Sequence, residues 1–145
     1  MAFTGNFTTN TFKTGLMDGT FNFNTGTSDV YKIALYTNDA TLDATTTAYT
    51  ATGEVSASGY TAGGSTLTVS QVPTVGVSGT TAYLSFDNVA WSGAITARGA
   101  LIYKANGTTN PTVCVLDFGS DKSSSTTFTV QFPAITNSSA IIRIS

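Results

Sequence analysis

The sequence predicts an all-β, single-domain protein: a two-sheet β-sandwich, jelly-roll-like, with one short N-terminal helix. Three observations lead there. Short runs in which apolar and polar residues alternate recur along the chain, separated by Gly, Asn, Ser and Pro, the period-2 pattern of half-buried strands. One hairpin, within residues 97–118, is apolar on both faces of its first strand and so implies a layer on each side. Only 10% of residues are charged, against roughly 25% in ordinary soluble domains. Thr and Ser fill the difference, and β-branched, hydroxyl-rich surfaces suit sheets better than helices. Even alternation is also compatible with closure into a barrel.

Ahead of residue 10, Phe3 and Phe7 are spaced among polar residues as in an extended arm. Asn10 or Thr11 is placed to cap a short helix through Asp18, with Phe12 and Leu16 on one face at i, i+4 and Gly19 where helices stop in the left-handed conformation. Gly15 inside it costs about 1 kcal/mol relative to Ala, and so short a helix does not persist alone in water. Phe12, Leu16 and Phe21 or Phe23 must therefore dock, either on the chain's own sheet or on a neighbouring subunit. Residues 1–23 are read as an N-terminal arm and helix, and 24–145 as the sandwich.

Residues 30–37 (VYKIALYT) read as a strand with Tyr31, Ile33 and Leu35 on a dry face and Lys32 and Ala34 on a wet one. Residues 38–53 show neither period and read as a long surface loop, a class that is usually functional or mobile above about 12 residues. Glu54 to Tyr60 is a weak strand, and Gly63-Gly64 lies in a turn without the spacing or the Lys of a phosphate cradle. Ser65 to Val72 alternates until Pro73 stops it, and Ala82–Phe86 is the next strand. Trp91, within residues 87–93 just before the central hairpin, is expected to cover an end of the core. The hairpin follows: Gly99–Tyr103 and Val113–Leu116 flank Asn106-Gly107, which supplies the positive φ angles of a tight turn. It is expected at the centre of its sheet. Residues 119–125 read as a polar turn, 127–132 as a strand ending at Pro133, and 140–144 as a last strand that ties down the C-terminus.

A chain of 145 residues buries roughly 68–70% of its unfolded surface, enough for a core without staples. Net charge is −2 and the cations Lys13, Lys32, Arg98, Lys104, Lys122 and Arg143 are scattered, which excludes the dense basic footprint that nucleic-acid binding needs. Neither a basic amphipathic helix nor a membrane-spanning run is present, and the N-terminus predicts no signal peptide. Low charge removes the repulsion that keeps copies apart, a pattern that fits assembly as well as a neutral monomer.

No His occurs and Cys114 is the one cysteine, so Ser-His-Asp triads, His metal sites, thiolate zinc sites and intrachain disulfides are excluded. Cys114 between Val113 and Val115 reads as a buried small hydrophobe. Two carboxylates could serve glycoside hydrolysis, but Asp39 with Asp43 and Asp117 with Asp121 lie among ordinary turn residues. The same loops offer hard oxygens for calcium without EF-hand spacing. Tyr36, Tyr49, Tyr60, Tyr83, Tyr103 and Trp91 could stack on sugars, yet most fall at inward positions where packing is the default. No catalysis, cofactor or metal is expected.

Three segments, FKTGLMDGTFNF, VYKIALYTNDATLDATTTAYTATGEVSASGYTAGG and ARGALIYKANGTTNPTVCVLDFGSDKSSSTTFTVQFPAITNSSAIIRIS, resemble a family of small virion proteins of tailed bacteriophages. The strongest points are Lys32–Tyr36, the stretch from Glu54-Val55-Ser56 to Gly63-Gly64, Ala97–Tyr103 and Leu116–Gly119. The resemblance implies a non-enzymatic virion part made in the host cytoplasm. The favoured role is a capsid decoration, or cement, protein on the outer surface of the head, a homotrimer bracing subunits of the major capsid protein. Its expected contacts are Phe3, Phe7, Phe12 and Leu16, acting by arm docking or strand addition. The alternative is a tail-fibre or receptor-binding tip domain that uses the loop at 38–53, and a free carbohydrate-binding module is a third reading.

Overall fold

Positions 99–103, apolar but for one tyrosine hydroxyl, form the middle of the central strand in the largest sheet. In the computed structural model, which describes residues 3–145, the elements run β1 (Phe7–Thr8), α1 (Asn10–Asp18), β2 (Tyr31–Tyr36), β3 (Ser65–Thr66), β4 (Val69–Val75), β5 (Ala82–Phe86), β6 (Val89–Ser92), β7 (Thr96–Lys104), β8 (Thr112–Ser123), β9 (Thr127–Val130) and β10 (Ile142–Ile144). The protein is mostly β, with one short helix and three antiparallel sheets in the orders β1-β8-β7-β2-β3, β10-β5-β4 and β6-β9.

Alternation along β7 divides the core. Ala100 and Ile102 join Ile33 and Leu35 in the larger cluster, with Leu84, Phe86 and Ile142 from the second sheet and Trp91 and Phe128 from the third. Leu101 and Tyr103 face the other way, into a smaller cluster with Ala34, Tyr36 and Val115. The wet face expected for residues 32 and 34 is therefore only partly wet. The loop after β2 folds back and buries Ala40 and Leu42 on it, so this loop is an integral layer.

The helix starts one residue earlier than expected. Thr9 is the N-cap, its Oγ1 accepting from Phe12 N at 3.1 Å, and Gly19 closes the helix at φ 80°. Phe12, Phe21 and Phe23 form an aromatic cluster with Tyr31, the Phe23 and Tyr31 rings stacked at 4.4 Å. Gly15 has its reason here, because a Cβ at this position would collide with the Phe21 ring. The helix thus docks on the chain's own sheet.

Residues 3–8 differ from the free arm expected. Phe7 and Thr8 pair with Val115 and Cys114 at the edge of the largest sheet, and Phe3 turns beneath it against Gly99. Burying the Phe3 ring within the chain stabilises it by roughly 1.5–3 kcal/mol relative to leaving it exposed, and the half-buried Phe7 by less. Other differences are local. Pro73 lies inside β4, at an irregularity between Gln71 and Thr74 on an edge strand, where a missing donor is tolerated. Glu54 makes only a single bridge to Tyr36. Trp91 sits in a strand, β6, paired with Phe128 across β9. The expected polar turn at 119–125 is mostly strand, because β8 continues to Ser123 past a bulge at Gly119, φ 81°.

Candidate interaction surface

Glu54, Asp117 and several tyrosine hydroxyls are held in structural networks. Glu54 accepts from the Tyr49 hydroxyl at 2.6 Å on Oε2, and from the Tyr60 hydroxyl and Gly63 N at 2.7 Å each on Oε1. Tyr103, stacked on Tyr49 at 4.8 Å, donates to Gly63 O. Burial, with Glu54's negative charge nearby, pushes the Tyr103 hydroxyl up to about 12, and burial pushes Tyr36, Tyr49 and Tyr60 upward as well. These four tyrosine hydroxyls stay protonated near neutrality. Arg98 pairs with Asp117, whose backbone N donates to Asn6 Oδ1 at 2.7 Å, and the guanidinium lies 5.9 Å from the Phe3 ring centroid. This clamp fixes the N-terminal segment.

The carboxylate pairs separate in role. Asp117 is held by Arg98, and Asp43 caps its own loop through Thr45 N and Oγ1. Those bonds hold the Asp43 carboxyl below its ordinary value. No group of three potential metal ligands occurs among the described residues. Cys114 is buried, which pushes its thiol up to about 12. No helix among the described residues is long and apolar enough to cross a membrane.

Of the four expected partner contacts, Phe3 and Phe12 are 1% and 2% exposed. Both are core residues, each packed on apolar partners inside the chain. Phe7 is half-buried against the smaller cluster. Leu16 alone is open, at 41%.

Leu16 belongs to a surface built from segments far apart in the sequence. It lines an apolar groove of about 200 Å3 with Phe21, Phe23, Leu84, Ile142 and Ile144, between α1 and the β10-β5-β4 sheet. Paired residues across strands share a face. Ile142 and Leu84 form one row on the core side, both buried, and Ile144, Ala82 and Val75 form the next row out. There Ile144 is 50% and Val75 61% exposed. The apolar face of this sheet outruns its cover by one row, and Val77 at the hairpin tip is fully exposed. The signal in the sequence is that Ile142 and Ile144 share a parity while the core needs only the first. Comparison with family models, curated proteins and solved structures gives no match to this chain.

Proposed function

We propose that the chain is a non-enzymatic structural protein of a tailed-bacteriophage particle, a decoration protein that sits as a trimer on the outer surface of the head and braces subunits of the major capsid protein. In this reading the sheets form a jelly-roll-like β-sandwich, assembled onto heads in the host cytoplasm. The observation that carries it is the uncovered row Ile144, Ala82 and Val75 beside Leu16. Apolar side chains held at a sheet end have no further cover among the described residues, and association buries them. Low charge and the tying of Glu54, Asp117, Tyr49, Tyr60 and Tyr103 into internal networks support docking over turnover.

The contact is a rigid surface here, not a flexible arm, because residues 3–23 complete the chain's own core. Deleting them would unfold the domain and say nothing about docking. The informative variant is Leu16→Asp with Ile144→Asp, which charges the row while leaving the core intact. Quantifying the protein in purified particles should give many copies per head for the wild type and strongly reduced occupancy for the double variant, with an unchanged circular dichroism spectrum. Full occupancy of the folded variant, or a handful of copies confined to tails, would sink the reading.

A further inference from the structure

We infer that the groove between β8 and β9 receives an extended strand, flanked by acidic residues, from a partner protein. These two strands are joined by a short turn, yet they do not pair. Among the described residues β9 pairs only with β6, and the outer side of β8 is met by β1 at Cys114 and Val115 and by Thr9 N and the Thr47 carbonyl at Val113 and Thr112. Beyond Val115, that side of β8 has no strand partner among the described residues; its Asp117 and Gly119 N–H groups are held by the side chains of Asn6 and Asp117, so the edge free to pair is that of β9.

The space between the two strands is edge space. Thr127 to Gln131, five consecutive residues, all line a groove of about 410 Å3 with Phe118, Lys122 and Ser123. Cys114 to Phe118, again consecutive, line an adjoining cleft of about 500 Å3 that shares Phe118, Val130 and Gln131 with it. Side chains alternate between faces along a strand, so a cavity that touches every successive residue runs along the strand's edge, past its N–H and C=O groups. Phe118 and Phe128 meet across the groove with ring centroids 6.2 Å apart, an apolar floor for alternate side chains of an incoming strand. Backbone pairing along such an edge is the physics of strand addition.

Charge selects the occupant. Lys122 lines one end of the groove, and Arg143 lines the cleft at the other. Among the described residues Lys122 Nζ donates only to Ser120 Oγ, and the Arg143 guanidinium only to the Ser138 carbonyl. The carboxylate of Asp117, also lining the cleft, is already held by Arg98. A cationic groove in a chain of net charge −2 favours an acidic peptide, and Lys122 opposes pairing of this edge with the same edge of a second copy. The inference does not depend on the capsid reading, since any protein with such a segment would fit.

The test uses the full chain, labelled with 15N, and a short synthetic peptide of alternating Val and Thr with Glu at both ends. Amide shifts should move in residues 116–123 and 127–131 and saturate. The same peptide ended in Lys should bind at least about tenfold more weakly, a difference that shrinks as salt screens the charges. A peptide N-methylated along one edge should not bind. Lys122→Glu with Arg143→Glu, if folded, should reverse the preference between the Glu-ended and Lys-ended peptides; if it does not fold, the three peptides with the wild type decide alone. Failure of the Glu-ended peptide to bind, equal binding by the Lys-ended or N-methylated peptide, or shifts confined to another surface would overturn the inference.

Discussion

The Tyr60 hydroxyl donates to Glu54 Oε1 at 2.7 Å and accepts from Leu35 N at 2.9 Å, so one phenol ties the turn after residue 53 to the end of β2. Tyr60→Phe removes both bonds and leaves a donor at a fully buried residue without a partner. The expected loss is about 1–3 kcal/mol, read by urea unfolding with an unchanged slope. Loss below the error of the measurement would show that water replaces the phenol.

Lys104 and Asp29 give the stability a pH dependence. Burial alone would raise the Asp29 carboxyl; Lys104 Nζ at 2.9 Å, with Asn22 N and the Tyr31 hydroxyl, outweighs this and holds it below its ordinary value. A carboxylate with a depressed folded-state value contributes stability that is complete above its unfolded value, about 3.9, and is lost as pH falls through the folded one. Asp29→Asn should therefore lower Tm at neutral pH, and the gap to the wild type should close as the solution is acidified below about pH 4. A gap independent of pH would assign the effect to packing.

Local chemistry was readable from the chain, and long-range partnership was not. Gly19 ends the helix as expected because capping is decided within a few residues, and Gly99–Tyr103 lies centrally because a strand apolar on both faces needs cover on both. Phe3 and Phe12 show the limit. Their apolarity indicated burial, but nothing near them in sequence tells whether the cover comes from Gly99 and Phe21 of the same chain or from a neighbour. The strand around Trp91 is not legible locally, because its partner Phe128 lies far along the sequence. Ile144 and Val75 meet in one row only through their common pairing with Ala82, so the exposed surface could not be assembled from either segment alone.

Cys114, buried with its thiol pushed up to about 12, should be silent towards thiol reagents in the native state, because both access and thiolate are lacking. Labelling with an aromatic disulfide reagent should proceed only at the rate at which the domain opens, and should accelerate in urea in step with unfolding. Rapid stoichiometric labelling of the folded chain would contradict the placement of β1 over Cys114.

Gly15→Ala sets helix propensity against packing. In an exposed helix the change should stabilise by about 1 kcal/mol, yet here the added methyl meets the Phe21 ring, which is itself packed on Phe12 and stacked beside Phe23. Displacing one ring disturbs the cluster through to Tyr31, and overpacking of this kind costs about 1–3 kcal/mol. The net expectation is a destabilised protein. Gly15→Ala combined with Phe21→Leu should recover part of the loss by making room for the methyl, so the two changes together should cost less than the sum of each alone. Strict additivity in urea unfolding would mean that Gly15 and Phe21 do not touch.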